Sequence, residues 1–363
     1  MTNLDIAHQR LSRQRIAHTA FEKPAEVVQW LGAVQSQDYG AAKWAVGQRT
    51  AASTDADLDQ AFAEGSILRT HVLRPTWHFV VPADIRWMLA LTAPRVRVAL
   101  TFMDRKLELD DAIFGRSNDV LVKALQGGKH MTRPQLVSAF QQTGIAVDDG
   151  QRSAHIIMHA ELDAIICSGA LRGKQHTYAL LDERAPQSSA FTREEALVEL
   201  ARRYITSRGP ATLKDFVWWS GLTMTDAKAG FEMVRSECIQ EEVDGQLYWS
   251  SSTPPCARDL SPTVYLLPNF DEYVVGYTDR SAIFDASHTP HLDSRANPLF
   301  NNAIILDGQI AGTWQRTIKK SAVDITLSLF QPLNEAAMEA LITATNRYGA
   351  FLERAANITV RTE

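Results

Sequence analysis

Cysteine is scarce in this chain. Three residues, Cys167, Cys238 and Cys256, stand among 363, far apart and with no CxxC pair. That spacing argues against a disulfide framework and for free thiols in a reducing cytoplasm. No run of about 18 apolar residues occurs, so no membrane-spanning helix is expected. The opening MTNLDIAHQRLSRQRIAH has no apolar core of a secretory signal and carries acid as well as base. Charge of one sign does not dominate either: 37 Lys and Arg stand against 42 Asp and Glu, for a net charge of −5. This argues against a protein that coats nucleic acid through bulk charge. It leaves room for a local basic face, because phosphate contacts need clustered cations rather than a basic average. There is no GxSxG, no Walker A loop and no dinucleotide-binding glycine pattern, so the hydrolase, nucleotide-binding and dehydrogenase classes those motifs mark have no support.

What is present is a pattern that recurs three times: helix, short turn, helix, then a two-stranded wing. The clearest copy lies mid-chain. ATLKDFVWWSG predicts a helix with Thr212 as N-cap and Gly221 as C-cap. A second helix is expected over 224–235, followed by CIQEEVDGQLYWS, where Asp244–Gly245 between two strand-like runs is a hairpin signal. Helix-turn-helix plus hairpin is the winged-helix arrangement, whose second helix can enter a major groove. Another copy covers about 117–182, with a recognition-like helix through SAHIIMHAELDAIICSG that ends at Gly169 and a wing in ALRGKQHTYALL. The first copy covers about 8–81, with helices near 11–19, 24–34 and 54–64 and the strand pair ILRTHVLRPTWHFVV.

After the Pro/Ser-rich SSSTPPCARDLSP the character changes. TVYLLPNF, VVGYTD, AIILDGQIAGTWQRTIKK and AVDITLSLF alternate like antiparallel strands, Asp307–Gly308 is a second hairpin turn, and a helix over 335–352 closes the chain. The expected class is α+β: tandem winged helices followed by a C-terminal antiparallel sheet or barrel packed on the third. The boundaries are 1–110, 111–190, 191–255 and 256–363. Such domains also serve regulators and protein contacts, so fold alone does not assign a function.

One short segment carries chemistry. In VVQWLGAVQSQDYG (27–40) the helical pattern of Val27, Val28, Leu31 and Val34 fades at Gln35. Gln35 and Gln37 are spaced i, i+2. On a helix they diverge by about 200°, whereas on an extended segment they face the same way. Two converging amides can fix one water through several hydrogen bonds, but a carboxamide is no useful base. A normal glycosidic bond usually needs a carboxylate pair. An N7- or N3-alkylated purine is cationic and leaves as a neutral base, so positioning water and favouring the oxocarbenium-like state can suffice. The alternative is a surface-polar or capping Gln-x-Gln at a helix end.

LGAVQSQDYGAAKWAVGQR, LRTHVLRPTWHFVVPADIRWML, VYLLPNFDEYVVGYTDR and NNAIILDGQIAGTWQR occur in this order. Together they resemble the AlkZ/YcaQ family of bacterial winged-helix DNA glycosylases, which includes antibiotic self-resistance enzymes. The resemblance spans most of the chain. It implies a C-shaped assembly of winged helices around a DNA channel, no metal or other cofactor, and catalysis by a Gln-x-Gln or Gln-x-Asp signature. Gln35-Ser36-Gln37 resembles the Gln-x-Gln branch, which removes alkylated purines, sometimes bulky ones. Asp38 lies one position too late for the other form, yet within reach of the site.

Arg69 and Arg74 flank the turn of the first wing and are expected DNA contacts, with a solvated hairpin tip as the alternative. His78 is either a DNA contact near the glutamines or a core histidine. Arg316, Lys319 and Lys320 are placed to grip a backbone. Further basic clusters are Arg95, Arg97 and Arg105, and Arg202, Arg203 and Arg208. Asp271, Glu272 and Tyr273 serve either a positive transition state or a structural ion-pair network. His155 and His159 have a zinc-like i, i+4 spacing, with Glu161 close by, but no third ligand is evident and no metal is expected. The expected activity is a monomeric, cytoplasmic, nucleoid-associated glycosylase acting on double-stranded DNA with alkylated purines, bulky adducts or crosslinks. The alternative is a non-catalytic DNA binder, which as a regulator would usually be a dimer.

Overall fold

The computed structural model describes residues 1–18, 21–147, 150–185, 191–253, 262–292 and 301–362. Capping chemistry starts most of its helices. Thr2 with Asp5 opens α1 (Asn3–Arg13), Pro24 sits in the first turn of α2 (Pro24–Leu31), and Gly32 at φ 74° ends it. The chain then extends through β1 (Val34–Gln35), restarts at Asp38 as α3 (Tyr39–Gly47), and restarts again at Thr54 as α4 (Asp55–Glu64). A hairpin follows, β2 (Leu68–His71) and β3 (Trp77–Val80). The three strands pair in the order β1-β3-β2.

A long helix, α5 (Pro82–Lys106), leads to a group with the same order: α6 (Asp111–Leu125), β4 (Met131–Thr132), α7 (Arg133–Gln142), α8 (Gly150–Leu162), β5 (Ile166–Arg172) and β6 (Gln175–Leu180). Its sheet runs β4-β6-β5. After the short α9 (Leu181–Arg184) comes a third group: α10 (Arg193–Arg208), α11 (Leu213–Ser220), α12 (Met224–Met233), β7 (Cys238–Val243) and β8 (Gln246–Ser251). Here Ala211 bridges Trp249, so a single residue replaces the short first strand. The three groups therefore share helix, short strand, helix, helix and hairpin, with the short strand paired to the returning arm.

The last region holds β9 (Val264–Leu267), α13 (Glu272–Val275), β10 (Ala303–Leu306), β11 (Gln309–Ile318), β12 (Ala322–Leu329), α14 (Glu335–Phe351) and β13 (Ala355–Thr362). Its sheet order is β13-β12-β11-β10-β9. Asp244–Gly245 and Asp307–Gly308 both turn with positive φ at each residue, which suits the right-handed twist of their hairpins.

Several expectations are corrected. The first helix spans 3–13 rather than 11–19, because Arg15 turns at φ 58°; Thr19 lies outside the described residues. The helix expected to reach Gly169 ends at Leu162. Ala164 turns at φ 58°, and Ile166–Gly169 pairs with β6. Val274–Asp279 is not a strand: Asp271 caps a helical turn there instead. The C-terminal sheet is mixed, since β13 pairs parallel to β12. A helical crossover through α14 returns the chain to the same end of the sheet, which leaves parallel pairing. That helix is therefore not the last element. The sheet also shares its core with the first group, through Val27, Leu31, Trp44, Leu266, Trp314 and Leu327, more than with the third. Ile6 and Leu11 of α1 pack with Tyr273 and Ile305 of this C-terminal region.

The third group also abuts the first hairpin. A Cβ on Gly221, at φ 68°, meets the Leu73 carbonyl oxygen at 2.2 Å, whereas one on Gly245, at φ 74°, meets nothing within 4 Å. Gly221→Ala is therefore expected to cost about 2 kcal/mol or more, and Gly245→Ala about 1 kcal/mol from backbone strain alone. Denaturant midpoints of the two variants test this; equal losses would show that the contact with Leu73 gives way freely.

Candidate active site

The α2 C-cap forces an extended segment, and that segment carries the two amides. Val34 pairs with Phe79 and Gln35 with His78 in antiparallel register, and the Ser36 N–H donates to the Trp77 carbonyl at 2.7 Å. Gln35 is buried and Gln37 exposed. Both side-chain carbonyls turn to the same hairpin. Gln35 Oε1 accepts from Arg74 Nη2 at 2.9 Å, and Gln37 Oε1 accepts weakly from the Trp77 N–H at 3.4 Å. Asp38 is spent on a cap, its Oδ1 accepting from the Ala41 N–H at 3.0 Å.

Behind Gln35 lies a buried ionic layer. The Gln35 N–H donates to Glu272 Oε1 at 2.9 Å. The other carboxylate oxygen accepts from Arg208 Nη2 at 2.6 Å and from Trp219 Nε1 at 3.0 Å. Beside it, Arg49 grips Asp271 with two nitrogens, each at 2.8 Å. Arg49, Arg208, Asp271 and Glu272 are all fully buried. The Tyr273 hydroxyl reaches the carbonyls of Gly308 at 2.7 Å and Ala7 at 3.1 Å. Asp271, Glu272 and Tyr273 thus stand in a structural network, the second of the two roles open to them.

Arg69 is not at a wing tip. It is buried on β2, donates two nitrogens to the Ser36 carbonyl at 3.1 and 2.9 Å, and lies 4.3 Å over the Trp77 ring. It braces the extended segment from within, so as a direct DNA contact it is corrected. Arg74 is half-buried, and its second arm donates to the Trp218 carbonyl at 3.1 Å. His78 is fully buried; its Nδ1 bonds the Thr76 carbonyl at 2.9 Å, and its Nε2 has no partner among the described residues. It too is removed from the surface. Burial, and then the Arg74 charge, holds His78 well below the usual imidazole range.

Arg202 and Arg203 are tied to Glu237, Glu199 and Asp84. That cluster, with Arg208, serves cohesion. At the β11–β12 tip Lys319 and Lys320 are exposed, with Lys319 paired to Asp324, while Arg316 lies over Trp314 and Tyr348. His155 and His159 both turn to one carboxylate, Asp104, at 2.8 and 3.0 Å, and His159 stacks on Phe114. No group of three metal-type ligands occurs among the described residues. Burial pushes the Cys167 thiol up to about 12, as suits an inert thiol; Cys256 lies outside the described residues. No helix among the described residues is long and apolar enough to cross a membrane.

The chain thus combines three helix-and-hairpin groups with a mixed sheet and carries an amide pair on an extended segment of the first group. Residues 28–351 match the family described as DNA glycosylase AlkZ-like, and the chain belongs to that family. It is 23% identical over 326 residues to the "Interstrand DNA cross-link repair glycosylase" of Streptomyces sahachiroi, covering 84% of this chain and 85% of that protein. Its fold is that of the solved Streptomyces sahachiroi DNA glycosylase AlkZ, with a TM-score of 0.82 at 19% identity and full coverage of both chains. The protein is thus a DNA glycosylase.

The His78 environment sets a pH dependence. Unfolded, the imidazole titrates near 6.5; folded, it stays neutral well below that. As pH falls below about 6.5 the unfolded chain takes a proton that the folded one does not, so stability drops by at most about 1.4 kcal/mol per pH unit from this group. His78→Asn keeps a donor for Thr76 and is expected to flatten the fall in denaturant midpoint between pH 7 and 5. An unchanged slope would place the titration elsewhere.

Proposed function

We propose that this glycosylase hydrolyses the N-glycosidic bond of N7- or N3-alkylated purines in double-stranded DNA, with Gln35 and Gln37 orienting the attacking water at C1′. The observation that carries the proposal is electrostatic. The two carboxylates behind the amides, Asp271 and Glu272, are consumed by Arg49 and Arg208, and Asp38 caps α3. That leaves the two amides as the polar groups of the segment that face the hairpin, with neither buried carboxylate behind them free to act as a base. Amides suit a substrate whose leaving group needs no proton. A purine alkylated at N7 or N3 is such a substrate: it departs neutral, and only the sugar's developing positive charge and the water's position need support. The name of the Streptomyces sahachiroi relative favours extending the range to interstrand crosslinks, in repair; bulky adducts and self-resistance to a DNA-alkylating antibiotic belong to the same proposal through the resemblance the sequence shows.

The three groups are proposed to be winged helices acting as one monomeric clamp, divided at 1–110, 111–190, 191–255 and 256–363, with the C-terminal sheet completing the DNA channel. Their shared strand order supports this. Lys319 and Lys320 at the exposed β11–β12 tip are proposed phosphate contacts, with Arg316 behind them. The setting is the cytoplasm, at the nucleoid.

A duplex bearing one N7-methylguanine, treated with alkali after incubation, tests the activity. Gln35→Ala and Gln37→Ala are each expected to lower the single-turnover rate by about 100-fold or more with little change in DNA affinity. Tight binding with no base released from this duplex or from an N7–N7 crosslinked one would sink the proposal. Lys320→Ala is expected to weaken binding of all duplexes alike and to lower the salt slope by about 1. An unaltered slope would remove Lys320 from the interface.

A further inference from the structure

The orientation of the Gln35 amide is decided by its partner. A guanidinium carries five donors and no acceptor, so the atom that faces it must be the carbonyl oxygen. Arg74 Nη2 stands 2.9 Å from Gln35 Oε1, which fixes the flip of the amide and turns its NH2 away. That NH2 makes no hydrogen bond to any described residue, while the Gln35 backbone N–H is already held by Glu272 at 2.9 Å. The residue is therefore clamped at two points, and one polar end is left over.

Arg74 is itself built in. Its Nη1 donates to the Trp218 carbonyl at 3.1 Å, and its guanidinium lies 5.8 Å from the centroid of the Trp218 ring. The hairpin backbone around it is tight. Leu73 sits at φ 64°, and the N–H groups of Arg74 and Thr76 bond the carbonyls two residues back at 2.7 Å each. Gly221, at the end of the helix that carries Trp218, seats directly on the Leu73 carbonyl. Arg74 thus spans from the third helix-and-hairpin group to the amide of the first, with little slack at either end.

We propose that Arg74 is the positioning residue of Gln35: it pins the carboxamide oxygen and so presents the NH2 as a donor to the oxygen of the attacking water. This rests on the assignment of Gln35 to catalysis. It replaces the role that the sequence suggests for Arg74, a phosphate contact at a wing tip. The two roles differ in what they change. A phosphate contact supports DNA affinity and adds to its salt slope. A positioning residue supports the chemical step on bound DNA, and only through its partner.

The test uses the full-length protein, the N7-methylguanine duplex, and Arg74→Ala, Gln35→Ala and the double variant. At saturating protein, Arg74→Ala is expected to release base about 100-fold more slowly, the scale on which a misplaced catalytic group acts. Its DNA affinity and salt slope stay those of the unaltered protein. In the Gln35→Ala background the same change costs less than about twofold, because two residues acting as one unit are not additive. Added guanidinium ion restores part of the rate in Arg74→Ala but none in the double variant. Arg74→Lys carries the same comparison should the alanine variant not fold. It keeps the charge, but it lacks a planar fork to hold the Trp218 and Gln35 carbonyls together, so it too is expected to lose rate and keep affinity.

Reduced affinity with an unaltered rate at saturation overturns the proposal and returns Arg74 to the phosphate backbone. So does an equal loss of rate in the presence and absence of Gln35. If Gln35→Ala alone releases base at the unaltered rate, the catalytic assignment of Gln35 has failed, and this proposal falls with it by a separate and visible route.

Discussion

A fully buried carboxylate cannot stand without partners, and Glu272 has three: the Gln35 N–H, the Arg208 guanidinium and the Trp219 indole. They come from the first group, from α10 and from α11, while Glu272 itself belongs to the C-terminal region. Moving any of these elements alone would strand a charge in a low-dielectric interior, at a cost of several kcal/mol. Arg49 and Asp271 repeat the arrangement one residue away, and the same guanidinium also donates to the backbone and side-chain carbonyls of Gln14, in the segment after α1. Much of the tertiary structure is set by the need to satisfy these ions together.

That constraint shapes the chemistry in front of it. With both acids held in ion pairs, the segment carrying Gln35 and Gln37 presents two amides, and its one carboxylate, Asp38, is held to the α3 cap by one oxygen. It is on this ground that a purine already made a good leaving group by alkylation is proposed as the substrate. Arg69 underneath and Arg74 alongside give the segment rigidity through the Ser36 carbonyl and the Gln35 side chain. The cations that looked like DNA contacts on the first hairpin are turned inward, and the exposed ones lie on other elements, such as Lys319 and Lys320.

Where local chemistry dominates, the sequence was legible. Thr212 and Gly221 bound α11 as their capping roles require, and Asp244–Gly245 turns its hairpin with φ of 50° and 74°. The helix does end before Gln35, but earlier than its pattern suggests, because Gly32 stops it at Leu31 and Val34 already lies in β1. Where pairing at long range decides, it was not. Ile166–Gly169 is apolar enough for either a helix or a strand, and only β6 beside it settles the matter. α3 follows the amides with a nearly unbroken buried surface, so it showed no amphipathic period to read. Val274–Asp279 alternates like a strand yet is wound by the Asp271 cap.

The sequence by itself determined the class of the fold, the three helix-and-hairpin groups, and the two glutamines as the candidates for chemistry. Those rest on caps, turns, periodicity and a resemblance carried by contiguous blocks, all of which are local in the chain. Tertiary structure alone decided which charges are spent inside. Arg49 reaches Asp271 across 222 positions, Arg208 reaches Glu272 across 64, and Arg74 reaches Gln35 across 39. An arginine's fork reads the same in a sequence whether it will grip a phosphate or a carboxylate. Burial chooses between them, and burial is a property of the folded chain.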